Sequence, residues 1–214
     1  MDARKSYDIP KFKEQYENYI GGEWTAPKSG EYFDCISPVD GRSFTKVARS
    51  NEADIEAALS AGLDRFGGID YLFVNQGIAE FQTLEEVTEE SWDRIFDVNA
   101  KGAFFTVQRL APLMSEGGAI VFTTVSNDQI FPGLSAYSGA KEAVAAFSKV
   151  LAAELLPRRI RVNALAPGFI LTPTMGVAEL TEEQRAEFVE QGNASTPMGR
   201  GGTVEEVAAA ALYL

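Results

Sequence analysis

The sequence predicts an α/β protein: an incomplete doubly wound parallel sheet with helices on both faces, preceded by an N-terminal β-hairpin segment. Three observations carry that prediction. Residues 69–74 (IDYLFV) and 119–122 (AIVF) read as apolar runs, the signature of strands covered on both faces of a parallel sheet. Long stretches with helical periodicity, 88–114 and 135–156, stand between these and a third strand-like segment, 160–166. The opening residues instead hold short runs broken by Gly-Gly and Pro-Val-Asp-Gly, which is turn chemistry.

In chain order, residues 1–17 are polar and mixed in charge, expected as a loose arm with a short helix. Tyr19 to Trp24 forms a tight hairpin around Gly21-Gly22, since glycine supplies the positive φ of a two-residue turn. Strands at 32–36 and 43–48 flank the turn Pro38-Val39-Asp40-Gly41. Asn51 caps a helix to Phe66, with Ile55, Leu59, Gly62 or Leu63, and Phe66 as its inner stripe. Gly67-Gly68 ends that helix. The strand at 69–75 leads into Asn75-Gln76-Gly77. Thr88 caps a helix running to about Met114, and Pro157 stops the helix 135–156. Pro167-Gly168 turns the chain out of the strand 160–166. Two capping boxes, Thr181-x-x-Gln184 and Thr203-x-x-Glu206, open two further helices.

Composition narrows the function. A chain of 214 residues suits one domain with an appendage, divided here as 1–62 and 63–214. A net charge of −12 argues against nucleic acid or an anionic membrane surface as partner. No apolar run approaches the roughly 18 residues a membrane span needs, and the first residues lack an apolar signal core, so a cytoplasmic protein is expected. One cysteine, Cys35, excludes an internal disulfide. The absence of histidine rules out Ser-His and Cys-His nucleophilic chemistry and, with scattered carboxylates, leaves no transition-metal site.

One stretch, 119–149, holds the residue types that chemistry needs. Tyr137 and Lys141 lie four apart on one helix face. A cation beside a phenol favours the phenolate, so Lys141 is expected to lower the Tyr137 pKa and make it a proton donor and acceptor near neutral pH. Thr124 falls at the carboxyl end of its strand, where open α/β sheets bind ligands. A Tyr-x-x-x-Lys pair is weak evidence alone. It gains weight from Asn75-Gln76-Gly77 after one strand, Asn99 within a helix, Thr124, and Pro167-Gly168 after another strand, in that order.

In these motifs residues 66–214 resemble the catalytic half of the short-chain dehydrogenase/reductase family. The resemblance implies a Rossmann-type sheet and a hydride transfer between NAD or NADP and an alcohol or carbonyl substrate. It implies catalytic roles for Asn99, Thr124, Tyr137 and Lys141, with Ser126 a weaker substitute for Thr124. It implies cofactor contacts from Asn75, Gly77, Tyr137, Lys141, Pro167, Gly168 and Thr172, a substrate lid at 169–202, and a homodimer through helices 89–114 and 136–156. Gln76 stands where that family usually has Ala.

The opening resembles a different family. NYIGGEW, EYFDCISPVDGRSF and ARSNEADIEAAL, within residues 16–61, are similar to the N-terminal segment of aldehyde dehydrogenases, without that family's catalytic Cys and Glu. No Thr-Gly-x-x-x-Gly-x-Gly phosphate turn occurs in the sequence. Two functions are therefore weighed: an NAD(P)-dependent oxidoreductase, and a catalytically silent fusion fragment. In the implied strand order the 69–75 strand lacks one neighbour. Strand 43–48, helix 52–66 and strand 69–75 are expected to form a right-handed βαβ unit that covers this edge.

Overall fold

The computed structural model describes residues 11–36, 42–127, 131–172 and 181–214. The chain divides into two compact units, Met1–Gly67 and Gly68–Leu214.

The first unit holds β1 (Gln15–Tyr16), β2 (Asn18–Ile20), β3 (Glu23–Thr25), β4 (Tyr32–Ile36), β5 (Ser43–Ala48) and α1 (Glu52–Phe66). β2 and β3 are the hairpin around Gly21 and Gly22, whose φ values of 63° and 96° are both in the left-handed region such a turn needs. Residues 15–16, expected in the loose arm, are a strand parallel to β5. The Thr45 hydroxyl donates to Lys13 O at 2.8 Å and the Lys46 amide to Glu14 O at 3.0 Å, so the arm takes up a β5 edge that would otherwise stay unpaired. The arm's first ten residues and the turn at 38–41 lie outside the described residues.

α1 begins at Asn51 in a reciprocal cap with Asp54 and ends on Gly67, φ 80°. Its buried face is the expected one only in part: Leu59, Gly62 and Leu63 are half-buried with Ala57 and Ala61, while Ile55 and Phe66 are 54% and 76% exposed and Asp54 is buried. The hairpin turn comes close to the helix at Ala61, where a Cβ on Gly21 would stand 3.6 Å from the Ala61 Cβ. The Asp54 carboxylate takes the backbone amides of Asn51 and Lys28, at 3.0 and 2.9 Å, and the Asn51 bond leads in holding its pKa below the usual range.

The second unit is a three-stranded parallel sheet, order β6-β7-β8, from β6 (Ile69–Val74), β7 (Met114–Thr123) and β8 (Arg161–Leu165). Val74, Phe122 and Ala164 lie side by side at its carboxyl end. Its helices are α2 (Glu89–Phe96), α3 (Gly102–Leu110), α4 (Ser135–Leu155), α5 (Glu182–Ser195) and α6 (Val204–Tyr213). This is the expected α/β doubly wound architecture, incomplete in strand number among the described residues. Thr88, Thr181 and Thr203 cap α2, α5 and α6. The core gathers Val74, Val107, Met114, Ile120, Phe122 and Val144. Met114, expected at a helix end, opens β7 instead. Pro112 sits in a single 3₁₀ turn, and the Arg158 guanidinium holds that corner through the carbonyls of Ala111 and Met114.

The expected βαβ unit does not form. Both edges of β5 are taken, by β4 antiparallel and β1 parallel, and among the described residues β6 pairs only with β7. A short antiparallel pairing closes a small loop and needs no crossover, so the local partner wins.

Phe122 is fully buried and meets Phe147 edge-on at 5.5 Å. Phe122→Ala should destabilise the protein by about 3–5 kcal/mol, read as a lower urea midpoint at constant slope.

Candidate active site

The site is assembled where β6 and β7 end and α4 begins. Pro132 and Gly133, φ 89°, turn the chain into α4, and the Gln82 amide donates to Gly133 O at 2.9 Å. α4 carries Tyr137 in its first turn and Lys141 one turn later. Lys141 is 3% exposed. Its ammonium donates to Thr123 O at 3.0 Å and Gln76 O at 3.3 Å, the chain positions where β7 and β6 give out, and lies 5.9 Å from the Tyr137 ring centroid.

Asn99 sits inside a break in the helix. Residues Asp97–Lys101 form a π-turn between α2 and α3, a rare single-turn insertion that is frequent at functional sites. The Asn99 amide donates to Ile95 O at 2.8 Å and also to Ile78 O at 2.8 Å. Its oxygen accepts from Ile78 N at 3.2 Å. Asn99 is completely buried, so all three bonds are made out of water. Gly77 lies between this amide and Lys141: a Cβ there would fall 2.7 Å from Asn99 Oδ1 and 3.1 Å from Lys141 Nζ. Asn75 accepts from the Thr123 hydroxyl at 2.7 Å. Thus Asn75, Gly77, Asn99, Lys141 and Tyr137 are brought together as one cluster.

Thr124 stands differently. It is buried, and its hydroxyl donates to Leu165 O at 3.2 Å. Ser126, weighed as its substitute, lines a cavity of about 490 Å³ together with Tyr137, Pro167, Gly168 and Thr172. Four phenylalanines, Phe81, Phe131, Phe169 and Phe188, form much of the remaining wall. Sequence reading missed these rings because they come from four separate segments with no common spacing. A larger cavity, about 720 Å³ along β8 and α6, shares no residue with the cluster. Among the described residues no group of three metal-binding side chains converges, and no helix is long and apolar enough to cross a membrane.

The expected lowering of the Tyr137 pKa is not what the environment gives. Burial raises it, and burial lowers that of Lys141. Removing water penalises each charged form. The ammonium protons go to backbone carbonyls, so the cation is not spent on the phenolate.

A family profile described as enoyl-(acyl carrier protein) reductase matches residues 36–214. An uncharacterised oxidoreductase of Methylorubrum extorquens is 37% identical over 186 residues, 85% of this chain and 73% of the relative. The 3-oxoacyl-[acyl-carrier-protein] reductase of Thermotoga maritima is 37% identical over 163 residues, 75% of this chain and 64% of the relative. Among solved structures, 3-ketoacyl-(acyl-carrier-protein) reductase from Brucella melitensis complexed with NADH superposes with a TM-score of 0.65 at 33% identity, covering 77% of this chain and 66% of that one. The chain belongs to the short-chain dehydrogenase/reductase family, in the branch that this profile describes. It spans about two thirds of the length of the two acyl-carrier-protein reductases. The profile's match begins at residue 36 and so runs through much of the stretch that resembles aldehyde dehydrogenases, a likeness that gains no support from it.

Asn99→Ala would remove the bonds to both backbone groups of Ile78, each worth about 1–3 kcal/mol when left unpaired. Native-state hydrogen exchange should show the Ile78 amide exchanging at least tenfold faster. An unchanged rate would mean the loop is held by something else.

Proposed function

We propose that the chain is an NAD(P)-dependent oxidoreductase that transfers a hydride between the nicotinamide and a small alcohol or carbonyl compound, with Tyr137 as general acid and base. The observation that carries this reading is the buried Lys141 ammonium, fixed by two carbonyls at the sheet's carboxyl end, one helical turn from a phenol in a cavity wall. Likeness to a reductase solved with NADH supports it.

The residues fit one end of such a cofactor. Gly77 allows close approach beside Asn99 and Lys141, and Pro167, Gly168 and Thr172 line the same cavity as Tyr137. They do not fit the pyrophosphate end, since the sequence has no Gly-rich phosphate turn. When bound, the cofactor supplies or accepts the hydride. Tyr137 gives its phenolic proton to the substrate oxygen in reduction and recovers it in oxidation. Lys141 presents a cation to the ribose. Asn99 sets the position of Ile78 and, through Gly77, the wall beside Lys141. Thr124 has the place that the family gives to the hydroxyl holding the substrate oxygen, but it is not among the residues that line the Tyr137 cavity. Ser126, in the cavity wall, is the hydroxyl we assign to that task.

Two further readings accompany this one. The helices 89–114 and 136–156 are assigned to a homodimer interface, supported by Trp92 and Phe105, 43% and 47% exposed; a sedimentation coefficient of monomer alone would overturn it. Residues 1–62 are read as an appendage resembling the aldehyde dehydrogenase opening, and 63–214 as the catalytic unit. The division of contacts at Gly67 supports that partition.

Titration with NADH and with NADPH should give saturable nicotinamide fluorescence for one of them. No binding up to about millimolar, a very weak affinity, would leave a silent fragment. Tyr137→Phe should lower turnover by about 10²-fold or more with the circular dichroism unchanged, the usual scale of general acid–base catalysis. Ser126→Ala should lose more than Thr124→Ala. Because burial raises the Tyr137 pKa, the phenol stays protonated through neutral pH. Carbonyl reduction should then be level across neutral pH and fall only in alkali, while alcohol oxidation should climb as pH rises. An oxidation optimum at neutral pH would contradict this.

A further inference from the structure

We infer that the substrate is uncharged and carries a bulky ring, aromatic or alicyclic, next to its reacting oxygen, and that Gly192 sets how large the ring can be. The inference rests on the functional reading of the Tyr137 cavity and names its substrate class.

The walls make the first half of the argument. Phe81, Phe131, Phe169 and Phe188, with Leu134 and Ile170, supply the apolar surface. The polar side chains among the lining residues are the hydroxyls of Ser126, Tyr137, Thr172 and Thr196, and that of Thr196 is bonded to the carbonyls of Arg200, at 2.7 Å, and Asn193, at 3.0 Å. No Asp, Glu, Lys or Arg is among the lining residues described. A carboxylate or phosphate on the substrate would lose its water and meet no counter-charge, which is strongly unfavourable. Flat apolar rings instead find edge and face partners. The space, about 490 Å³, is in the range of cavities that enclose small organic ligands.

Gly192 makes the second half. It lies inside α5, where glycine costs about 1 kcal/mol relative to alanine. A Cβ at this position would fall 2.3 Å from the Phe169 ring. Glycine therefore lets the helix rest on that ring. On another side Phe169 meets Phe188 edge-on at 5.6 Å, and a Cβ on Gly201 would come within 3.1 Å of the same ring. With Gly192, Gly201 and Phe188 around it, the ring has the cavity to yield into. Added bulk at 192 narrows the substrate space without touching Tyr137, Lys141 or the cluster around Asn99.

The test uses the full chain, with and without NADH, and binding read by isothermal calorimetry and saturation-transfer NMR. The probes are 1-tetralone, its ring-carboxylated analogue and butanone. Tetralone should bind at least tenfold more tightly than its carboxylate, which is about 1.4 kcal/mol and modest for an unpaired charge. Gly192→Ala should weaken tetralone at least fivefold and leave butanone within twofold; Phe169→Ala, which removes the ring itself, should restore tetralone binding in the Gly192→Ala background. Equal or tighter binding of the carboxylate overturns the substrate class, and an unchanged tetralone affinity in Gly192→Ala overturns the role of Gly192. NADH binding with no tetralone binding overturns the substrate class and leaves the oxidoreductase reading in place. Tetralone binding without NADH binding does the reverse.

Discussion

One buried side-chain amide holds three backbone groups, and the site is built on those bonds. Inside the π-turn at Asp97–Lys101 the Asn99 amide donates to Ile95 O. The same side chain then clasps the amide and carbonyl of Ile78. A buried polar group left unpaired costs more than a made bond returns, so these three bonds are made or lost together. They fix the loop that leaves β6, and the loop fixes the rest. Gly77 must be glycine because Asn99 Oδ1 is already where a Cβ would stand. Gln76 then aims its carbonyl at Lys141, which finds its second acceptor at Thr123. Position of the amine thus traces back to a flaw in a helix two elements earlier.

What was legible in the sequence is what short-range chemistry decides. Asn51, Thr88, Thr181 and Thr203 all cap the helices they were expected to open, because a cap needs only its own first turn. Gly21-Gly22 makes its hairpin for the same reason. The family's site order brought Tyr137, Lys141, Asn99 and Gly77 together, although spacing said nothing of the bonds that do it. Long-range partnership was not legible. Periodicity placed Leu59 and Leu63 on the half-buried face of α1 but also put Ile55 and Phe66 there, which are exposed. Strand character at 43–48 was clear, but its partners are two segments of its own unit. Gly192 inside a helical pattern was a signal in plain view, a conformational cost that only the Phe169 ring explains.

The short sheet has its own consequence. Among the described residues β6 has a neighbour on one side only, and Tyr71 and Phe73 are about 40% exposed. Tyr71 donates its hydroxyl to Ala211 O at 2.6 Å, so α6 ties down one end of the strand. An apolar edge is a place where other strands pair. The chain matches about two thirds of the length of the two acyl-carrier-protein reductases, and the fold shared with them is carried, among the described residues, by β6, β7 and β8. The cluster around Asn99 uses only the inner ends of β6 and β7, which is why it survives in a sheet this narrow.

Two effects compete over Tyr137, and their ranking decides what the site does at rest. A cation one turn away pulls the phenol toward its anion; loss of water pushes it toward the neutral form. The pull weakens with distance and with how the cation is engaged. Lys141 is 5.9 Å from the ring centre, and its hydrogen bonds run to backbone carbonyls. The push is local and unshared, because burial removes water from each group. It raises the one pKa and lowers the other, moving both toward their uncharged states. The resting pair is therefore a neutral phenol beside an amine whose charge is held by carbonyl dipoles. In the proposed reaction such a phenol would give a proton to an oxygen that becomes negative in front of it, and would need to be deprotonated from outside before taking one. On that proposal the direction favoured at neutral pH would follow from burial, which the fold supplies, and not from the spacing of the two residues, which the sequence supplies.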